Sequence, residues 1–355
     1  MQCLSNMERI QIVNSLMMQL FKLYEDKGKA YYYKQLFSKD DQTFVKNTLE
    51  EDTESIAKFL GLDITAARIK LLANQKRSYK PKKKDEVLLL NLKDALTKVQ
   101  EMSGDFTLVL NEVTDLVTIL FRGYETVKFN KKGTKVTKTT KTFEELSSDA
   151  QLQKLIDQYH TVLKSNKHEL LIVICNFYVD FIKIEPFNKY NDIIGLMLIY
   201  TIISKEFQVC RYGSFFKALL PVKDRLDTAL IQANYDWEHG LSQTDALVRV
   251  IIDVLEQLHR EVQGKEHIYS FDIKLNKTNT IESIIMNGPA VFSKNYIRNK
   301  APLASESTIN RTLQMLKTQG TIRSLGQGRS ATWQRVKDPH EKFNVQQLTL
   351  FSEED

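Results

Sequence analysis

Along most of this chain apolar residues recur at spacings of three and four, the period of an α-helix with one buried face. Met7, Ile10, Ile12, Val13, Leu16, Met17, Leu20 and Phe21 make the first such series and predict one buried helix face. The period continues over Thr53–Phe59 and Thr65–Asn74, with Gly61 as a break, then over Asp85–Lys98 and Phe106–Phe121. It returns in Phe143–Ser165, Glu169–Phe181, Phe215–Ala233 and Thr244–Glu261. Asn191–Ser204 is apolar nearly all round, which predicts a helix at the centre of its domain.

Three stretches depart from this pattern. Ser78–Lys84 is a basic linker, and Gly264–Asn276 reads as a second one. Lys128–Lys141 carries six lysines and four threonines with no acid, and Gly133 interrupts it. A short solvated hairpin, Val127–Asn130 with Thr134–Thr137, is the expectation there.

Past the second linker the signals change. Thr278–Met286 reads as a helix closed by Asn287-Gly288-Pro289, and Ser293–Asn299 as a second, capped by Ser293. A third opens at Ser305, with Ser305 as N-cap and Thr308 at N3, and ends at Gly320. Thr321–Leu325 and Ala331–Val336 read as two strands around Gly326-Gln327-Gly328-Arg329. Three helices followed by a hairpin with a basic turn resemble a winged helix-turn-helix. Its third helix presents Ser307, Asn310, Arg311 and Gln314 to a DNA groove, and Asn and Arg pair bidentately with base edges. Arg323, Arg329 and Arg335 on the hairpin suit phosphate or a narrow minor groove.

Charge supports this division. The chain of 355 residues has a net charge of +6. Between Phe292 and Lys337 nine Lys or Arg face one acid, Glu306, a surplus of +8 that leaves −2 for the rest. A basic module on a near-neutral body implies a polyanionic partner, the alternative being extra surface lysines that serve solubility. Apolar content of 42% with few glycines and prolines fits a folded, mostly helical protein. No apolar run reaches the roughly 20 residues of a membrane span, and no signal-peptide pattern stands at Glu8-Arg9. Cys3, Cys175 and Cys210 lack metal spacing, and the six histidines form no HxxxH or HxH pair. Cys175 and Cys210, in apolar stretches, are expected to be buried free thiols, and no metal site and a cytoplasmic protein are expected. Trp237 and Tyr235 read as core aromatics, and His239 and His259 as surface or interface histidines.

The residues that carry candidate chemistry lie before the apolar central helix: Glu185-Pro186-Phe187-Asn188-Lys189-Tyr190-Asn191-Asp192-Ile193. They resemble the signature H-P-F-x-[D/E]-G-N-G-R of the Fic (fido-fold) family, whose active members transfer AMP from ATP to a protein hydroxyl. Pro186, Phe187 and Asn191 match, and Gly195 matches the glycine beyond the motif. The flanking helices agree, as do Phe215–Leu219, Asp236–Gly240 and Asp245–Leu258, which look like a Fic subgroup ending in a winged helix. The resemblance covers roughly residues 50–337. It implies a mainly α chain: a fido-like bundle with a small β-hairpin flap, plus an α+β winged helix. The expected division is 1–84 (helical), 85–263 (fido-like core), 270–337 (winged helix) and 338–355 (tail).

The resemblance also assigns what has been lost. Glu185 stands where the family has its histidine base, and a carboxylate of pKa about 4.3 is the weaker base unless burial raises it. Lys189 replaces the acid that holds magnesium, and an ammonium cannot ligate that ion. Tyr190 and Asp192 replace two glycines whose N–H groups wrap phosphate. Tyr190 is expected to fill the phosphate space, and Asp192 to cap the following helix with its own carboxylate. A fixed charge at about 4 Å from a phosphate costs on the order of 4 kcal/mol at an effective dielectric of about 20, nearly a thousandfold in affinity. Ile193 and Leu196 stand where the family has phosphate-binding arginines. Leu60, before Gly61 and Thr65, falls where many members carry an inhibitory glutamate, unless Gly61 is an ordinary helix end. The leading expectation is a non-catalytic, regulatory protein without cofactor, with DNA as partner of the winged helix and protein as partner of the fido core. The alternatives are a transferase that uses Glu185 as base, with ATP and magnesium only if the family activity survives, and a purely protein-docking module.

Overall fold

The computed structural model describes residues 2–74, 81–102, 105–130, 147–274, 277–302, 304–326 and 331–336. They fall into two compact units, Met1–Gln263 and Gly264 onward. The first contains α1 (Asn14–Leu36), α2 (Asp41–Phe59), α3 (Ala66–Asn74), α4 (Lys84–Glu101), α5 (Leu110–Phe121), α6 (Ser148–Lys164), α7 (Leu170–Ile184), α8 (Asn191–Glu206), α9 (Phe215–Leu219) and α10 (Lys223–Asn234). Helix α11 (Asp245–Lys274) starts there and carries the chain past Gly264. The second holds α12 (Lys277–Met286), β1 (Val291–Ser293), α13 (Lys294–Lys300), α14 (Glu306–Thr318), β2 (Ile322–Ser324) and β3 (Thr332–Arg335). Among the described residues no helix is long and apolar enough to cross a membrane.

Helices α7 and α8 form the centre of the first unit, as the apolar run at Asn191–Ser204 predicts. Every residue from Leu171 to Phe181 and from Ile193 to Ile203 is buried. Glu169 starts α7 by accepting the N–H groups of Leu171 and Ile172 at 2.9 and 2.8 Å. Gly195 lets the two helices approach: a Cβ there would stand 2.9 Å from the Tyr178 ring, 3.0 Å from Ile182 and 3.1 Å from Phe181. Helix α2 ends in a Schellman motif at Gly61 (φ +65°), with Leu62 N–H on Ala57 C=O and Gly61 N–H on Lys58 C=O. Leu62 packs on the small cluster of Ala57, Ile69, Leu72 and Leu89. Arg68 and Glu86 tie α3 to α4 through two hydrogen bonds of 2.8 and 2.9 Å. That guanidinium holds the Glu86 carboxyl down at about 2.

Asp52 and His259 are two of the ionisable groups buried in this core. Asp52 is fully buried and caps the start of α9, accepting Ser214 Oγ–H at 2.7 Å and Phe216 N–H at 2.9 Å. Its Oδ2 has no partner among the described residues, and burial raises its pKa to about 7. His259 on α11 is 1% exposed with neither ring nitrogen hydrogen-bonded among the described residues. Burial lowers its pKa to about 4, against an opposing pull from Asp26. His259 is therefore a core residue, not the surface or interface histidine expected from sequence. The three cysteines are free and buried.

Several elements differ from the sequence pattern. The first helix is broken: Leu4–Arg9 is a 3-10 turn, and α1 begins only at Asn14. The cause is tertiary. Asp180, fully buried, accepts the N–H groups of Gln2, Cys3 and Leu4, each at 3.0 Å, while Arg9 donates to Ser242 C=O at 2.7 Å. Along α1 the buried face is Leu16, Leu20, Leu23, Ala30 and Tyr33, whereas Met17 and Phe21 are 38% and 61% exposed. Pro221 splits the expected Phe215–Ala233 helix into α9, a 3-10 turn and α10, since proline cannot donate to a continuing ladder. Where a linker at Gly264–Asn276 is expected, α11 stays helical to Lys274, absorbing a single glycine at a cost of about 1 kcal/mol. Tyr235 is exposed, and Trp237 is half-buried and donates from its indole nitrogen to Asp180 at 2.7 Å.

The second unit closes on its own cluster: Ile281, Ile285, Phe292, Ile297, Ile309, Leu313, Leu316, Ile322 and Trp333. Ser293 and Ser305 cap α13 and α14, accepting from Tyr296 N–H and Thr308 N–H, each at 3.2 Å. Gly320 (φ +74°) terminates α14 with a second Schellman motif. The three strands are antiparallel in the order β1-β3-β2, with Phe292 opposite Trp333 and Arg323 opposite Gln334. β1, which overlaps the Ser293 cap, is too short to show period two in sequence.

Candidate functional site

The loop between α7 and α8 is held from three sides. Glu185 ends α7 in the left-handed conformation (φ 43°, ψ 61°), and Tyr190 precedes α8 in the same region (φ 59°, ψ 29°). Two non-glycine residues at positive φ within six positions are a local strain that the surroundings must hold in place. The Asn191 side chain supplies one restraint: its Oδ1 accepts Phe187 N–H at 3.0 Å and its amide donates to Phe187 C=O at 2.6 Å. This explains the asparagine in physical terms, since it closes the turn between its own helix and Pro186-Phe187.

A second restraint comes from Lys128–Asn130, the start of the expected flap. Phe129 pairs with Phe187 in an antiparallel bridge and stacks on its ring at 4.9 Å. Asn130 N–H donates to Pro186 C=O at 2.8 Å, and Asn188 N–H to Lys128 C=O at 3.0 Å. Lys128 N–H donates to Asn188 Oδ1 at 3.0 Å. Pro186 and Phe187 are buried beneath this strand. The other half of the expected hairpin, Thr134–Thr137, lies outside the described residues.

The third restraint is an aromatic and ionic cluster that the sequence pattern does not reveal. The Tyr190 ring stacks on Phe121 at 4.9 Å and 17°, with Tyr124 at 5.8 Å. Lys189 Nζ lies 2.9 Å from Glu125 Oε2, and Lys84 Nζ donates to the other oxygen of the same carboxylate. The Tyr190 hydroxyl bonds to Glu125 as well. Lys84, then Lys189 and Tyr190, lower the Glu125 carboxyl to about 2. Desolvation, then the bond to Glu125, raises the Tyr190 phenol. Glu125 and its partners Lys84, Phe121 and Tyr124 come from two helices and a turn distant in sequence, so no local motif marks them.

The remaining loop residues divide cleanly. Glu185 and Asp192 are exposed. Asp192 makes no hydrogen bond to the first turn of α8 among the described residues, so the expected carboxylate cap is absent and its effect on the helix end is electrostatic only. Ile193 and Leu196 are 8% and 5% exposed and belong to the core. These residues do not fit magnesium-ATP held as the resemblance implies. An ion-paired ammonium stands for the metal carboxylate, a stacked phenol ring occupies a glycine position, and core aliphatic side chains replace both arginines. Among the described residues no three or more His, Cys, Asp or Glu side chains are grouped to hold a metal ion.

In the second unit Ser307, Asn310, Arg311 and Gln314 are all exposed, while Ile309, Thr312, Leu313 and Leu316 on the opposite face of α14 are buried. Spacings of three and four put the polar residues on one stripe. Arg298 on α13 ion-pairs with Glu306 at 2.6 Å, neutralising the single acid of this segment. Arg323 is exposed and donates to Gln334 Oε1 at 2.9 and 2.7 Å. Arg335 has a structural engagement: it donates to the carbonyls of Met286 and Gly288, fastening β3 to the end of α12. Arg329 lies outside the described residues.

The sequence matches no protein-family model and no curated protein. The fold does have solved counterparts. The crystal structure of a Fic family protein from Desulfovibrio desulfuricans G20 superposes with a TM-score of 0.55 over 93% of this chain and 98% of its own, at 14% identity. A Fic domain containing signaling protein from Bacteroides thetaiotaomicron VPI-5482 aligns with 71% of this chain and 96% of its own, at 17% identity and a TM-score of 0.46. The mainly helical architecture with a small antiparallel sheet matches a Fic fold.

Proposed function

We propose that this Fic-fold protein is a non-catalytic regulator that binds duplex DNA through a winged helix-turn-helix in its second unit and docks protein through its first. The observation that carries the DNA reading is the exposed stripe Ser307, Asn310, Arg311 and Gln314 on α14, on a segment with a charge surplus of +8. Phosphate attraction supplies affinity there, and Asn310, Arg311 and Gln314 have the donor geometry for adenine and guanine edges. The non-catalytic reading is supported by the engagement of Lys189 and Tyr190 with Glu125 and Phe121, which occupies the loop with the protein's own side chains.

A fluorescence-anisotropy titration of the full chain with duplex DNA tests the proposal. Binding that weakens with salt by about −0.9 log unit per phosphate contact is expected. Arg311→Ala should relax sequence preference at a cost of about 1–3 kcal/mol. No binding at micromolar protein in low salt, or binding unchanged in Arg311→Ala, refutes it. One observation favours a rival: Glu185 is exposed beside the loop and stands at the base position of the family signature. Protein labelling by a traceable ATP analogue that disappears in Glu185→Ala would establish that transferase reading instead.

A further inference from the structure

The carboxylate of Glu125 sits in a nest of donors that do not come from its own element. Lys84 opens α4, Lys189 and Tyr190 belong to the α7–α8 loop, and all three direct their polar ends at the two Glu125 oxygens. Two ammonium groups and a phenol around one small anion exceed what a single carboxylate needs for neutrality. Lys84 also lies over the Tyr124 ring at 4.8 Å, and Tyr190 is pinned by stacking on Phe121. Lys84 and Tyr190 are thus positioned by packing as well as by Glu125, and Lys189 by its ion pair and its place in the loop. Both lysines turn to the same carboxylate, that of Glu125.

We propose that Lys84, Lys189 and Tyr190 form an oxyanion site of phosphate type that the protein closes with its own Glu125. This deepens the reading of the loop as silent, and rests on it, because it names what keeps anions out. A phosphate group offers more acceptor oxygens in the same reach, and removing the carboxylate leaves two unpaired cations beside a fixed hydroxyl. The parent protein has no vacancy for such a ligand, since Glu125 is tethered and needs no association entropy to remain in place.

The test is a thermal-shift titration with inorganic phosphate at constant ionic strength, using the full chain. Glu125→Ala should melt about 2 °C higher at about tenfold excess of phosphate over its dissociation constant than without phosphate. The parent should show no more than the shift that chloride gives. Adding Lys189→Ala to Glu125→Ala should abolish the response. Glu125→Gln, which keeps the volume but not the charge, should respond more weakly than Glu125→Ala. A Glu125→Ala protein with a cooperative melt and no phosphate shift overturns the proposal. So does an equal shift in the parent, or one that survives Lys189→Ala. Failure here leaves the DNA titration untouched, whereas AMP transfer by the parent would refute the silent-loop reading whatever phosphate does.

Discussion

Asp52 and His259 oppose each other in their effect on stability, and removing either should expose the other. The folded pKa of Asp52, about 7, lies above its unfolded value of 3.8. Between those values the folded chain holds more protons, so stability falls as pH rises. The folded pKa of His259, about 4, lies below its unfolded value of 6.5. There the unfolded chain holds more protons, so stability rises with pH. From about pH 4.5 to about pH 6.5, the linkage relation gives a loss of about 2.5 kcal/mol through Asp52 and a gain of about 2 kcal/mol through His259. The two nearly cancel, and these groups leave the parent almost flat. Asp52→Asn keeps the acceptor for Ser214 and Phe216 and removes the titration, so its stability should climb by about 2 kcal/mol across this window. His259→Leu removes two unpaired ring nitrogens from the core, and its stability should fall by about 2.5 kcal/mol over the same range. Urea unfolding followed by circular dichroism at four or five pH values measures both slopes. Parallel profiles for parent and variants would refute the reasoning, as would tilts of the opposite sign.

Three further outcomes concern the loop and its helices. Gly195→Ala should lose about 1–3 kcal/mol in the same unfolding assay, because its Cβ meets Tyr178 at 2.9 Å within a packed core. Asn191→Ala gives up both bonds to Phe187, at a cost of about 1–3 kcal/mol, and should speed proteolysis within the α7–α8 loop. Asp192→Ala should cost only about 0.5 kcal/mol, the electrostatic share of a first-turn acid, and adding salt should erase the difference.

Helix existence was legible because the three-and-four period is local and long. It located α4 to α8 within a few residues, and the caps at Ser293 and Ser305 gave the starts of α13 and α14. The misreadings have a common cause. Met7–Phe21 has the right period for one helix, yet Asp180, far along the chain, captures the backbone at residues 2–4 and breaks it. Met17 and Phe21 satisfy the pattern but face solvent. In the loop, sequence singled out Lys189 and Tyr190 but not the side chains that they meet. Lys189 and Tyr190 are understood only with Glu125 and Phe121 beside them, and that adjacency is tertiary. Asp192 illustrates the reverse: a residue suited to capping by type was free to point into solvent.

The grip of Asp180 on the N–H groups of Gln2, Cys3 and Leu4 joins residues 176 to 178 positions apart. Closing a loop of that length before its neighbours are ordered is entropically expensive, so this contact belongs to the late side of the folding barrier. During synthesis residues 2–4 must wait for α7, and then for Trp237, before they have anywhere to go. Bonds absent from the transition state govern how fast a protein opens rather than how fast it forms. Asp180 therefore acts as a kinetic latch: its loss should shorten the lifetime of the native state while leaving the folding rate nearly as it was. Because the latch holds residues 2–4 by their backbone N–H groups, proline at any of the three removes a bond that it makes.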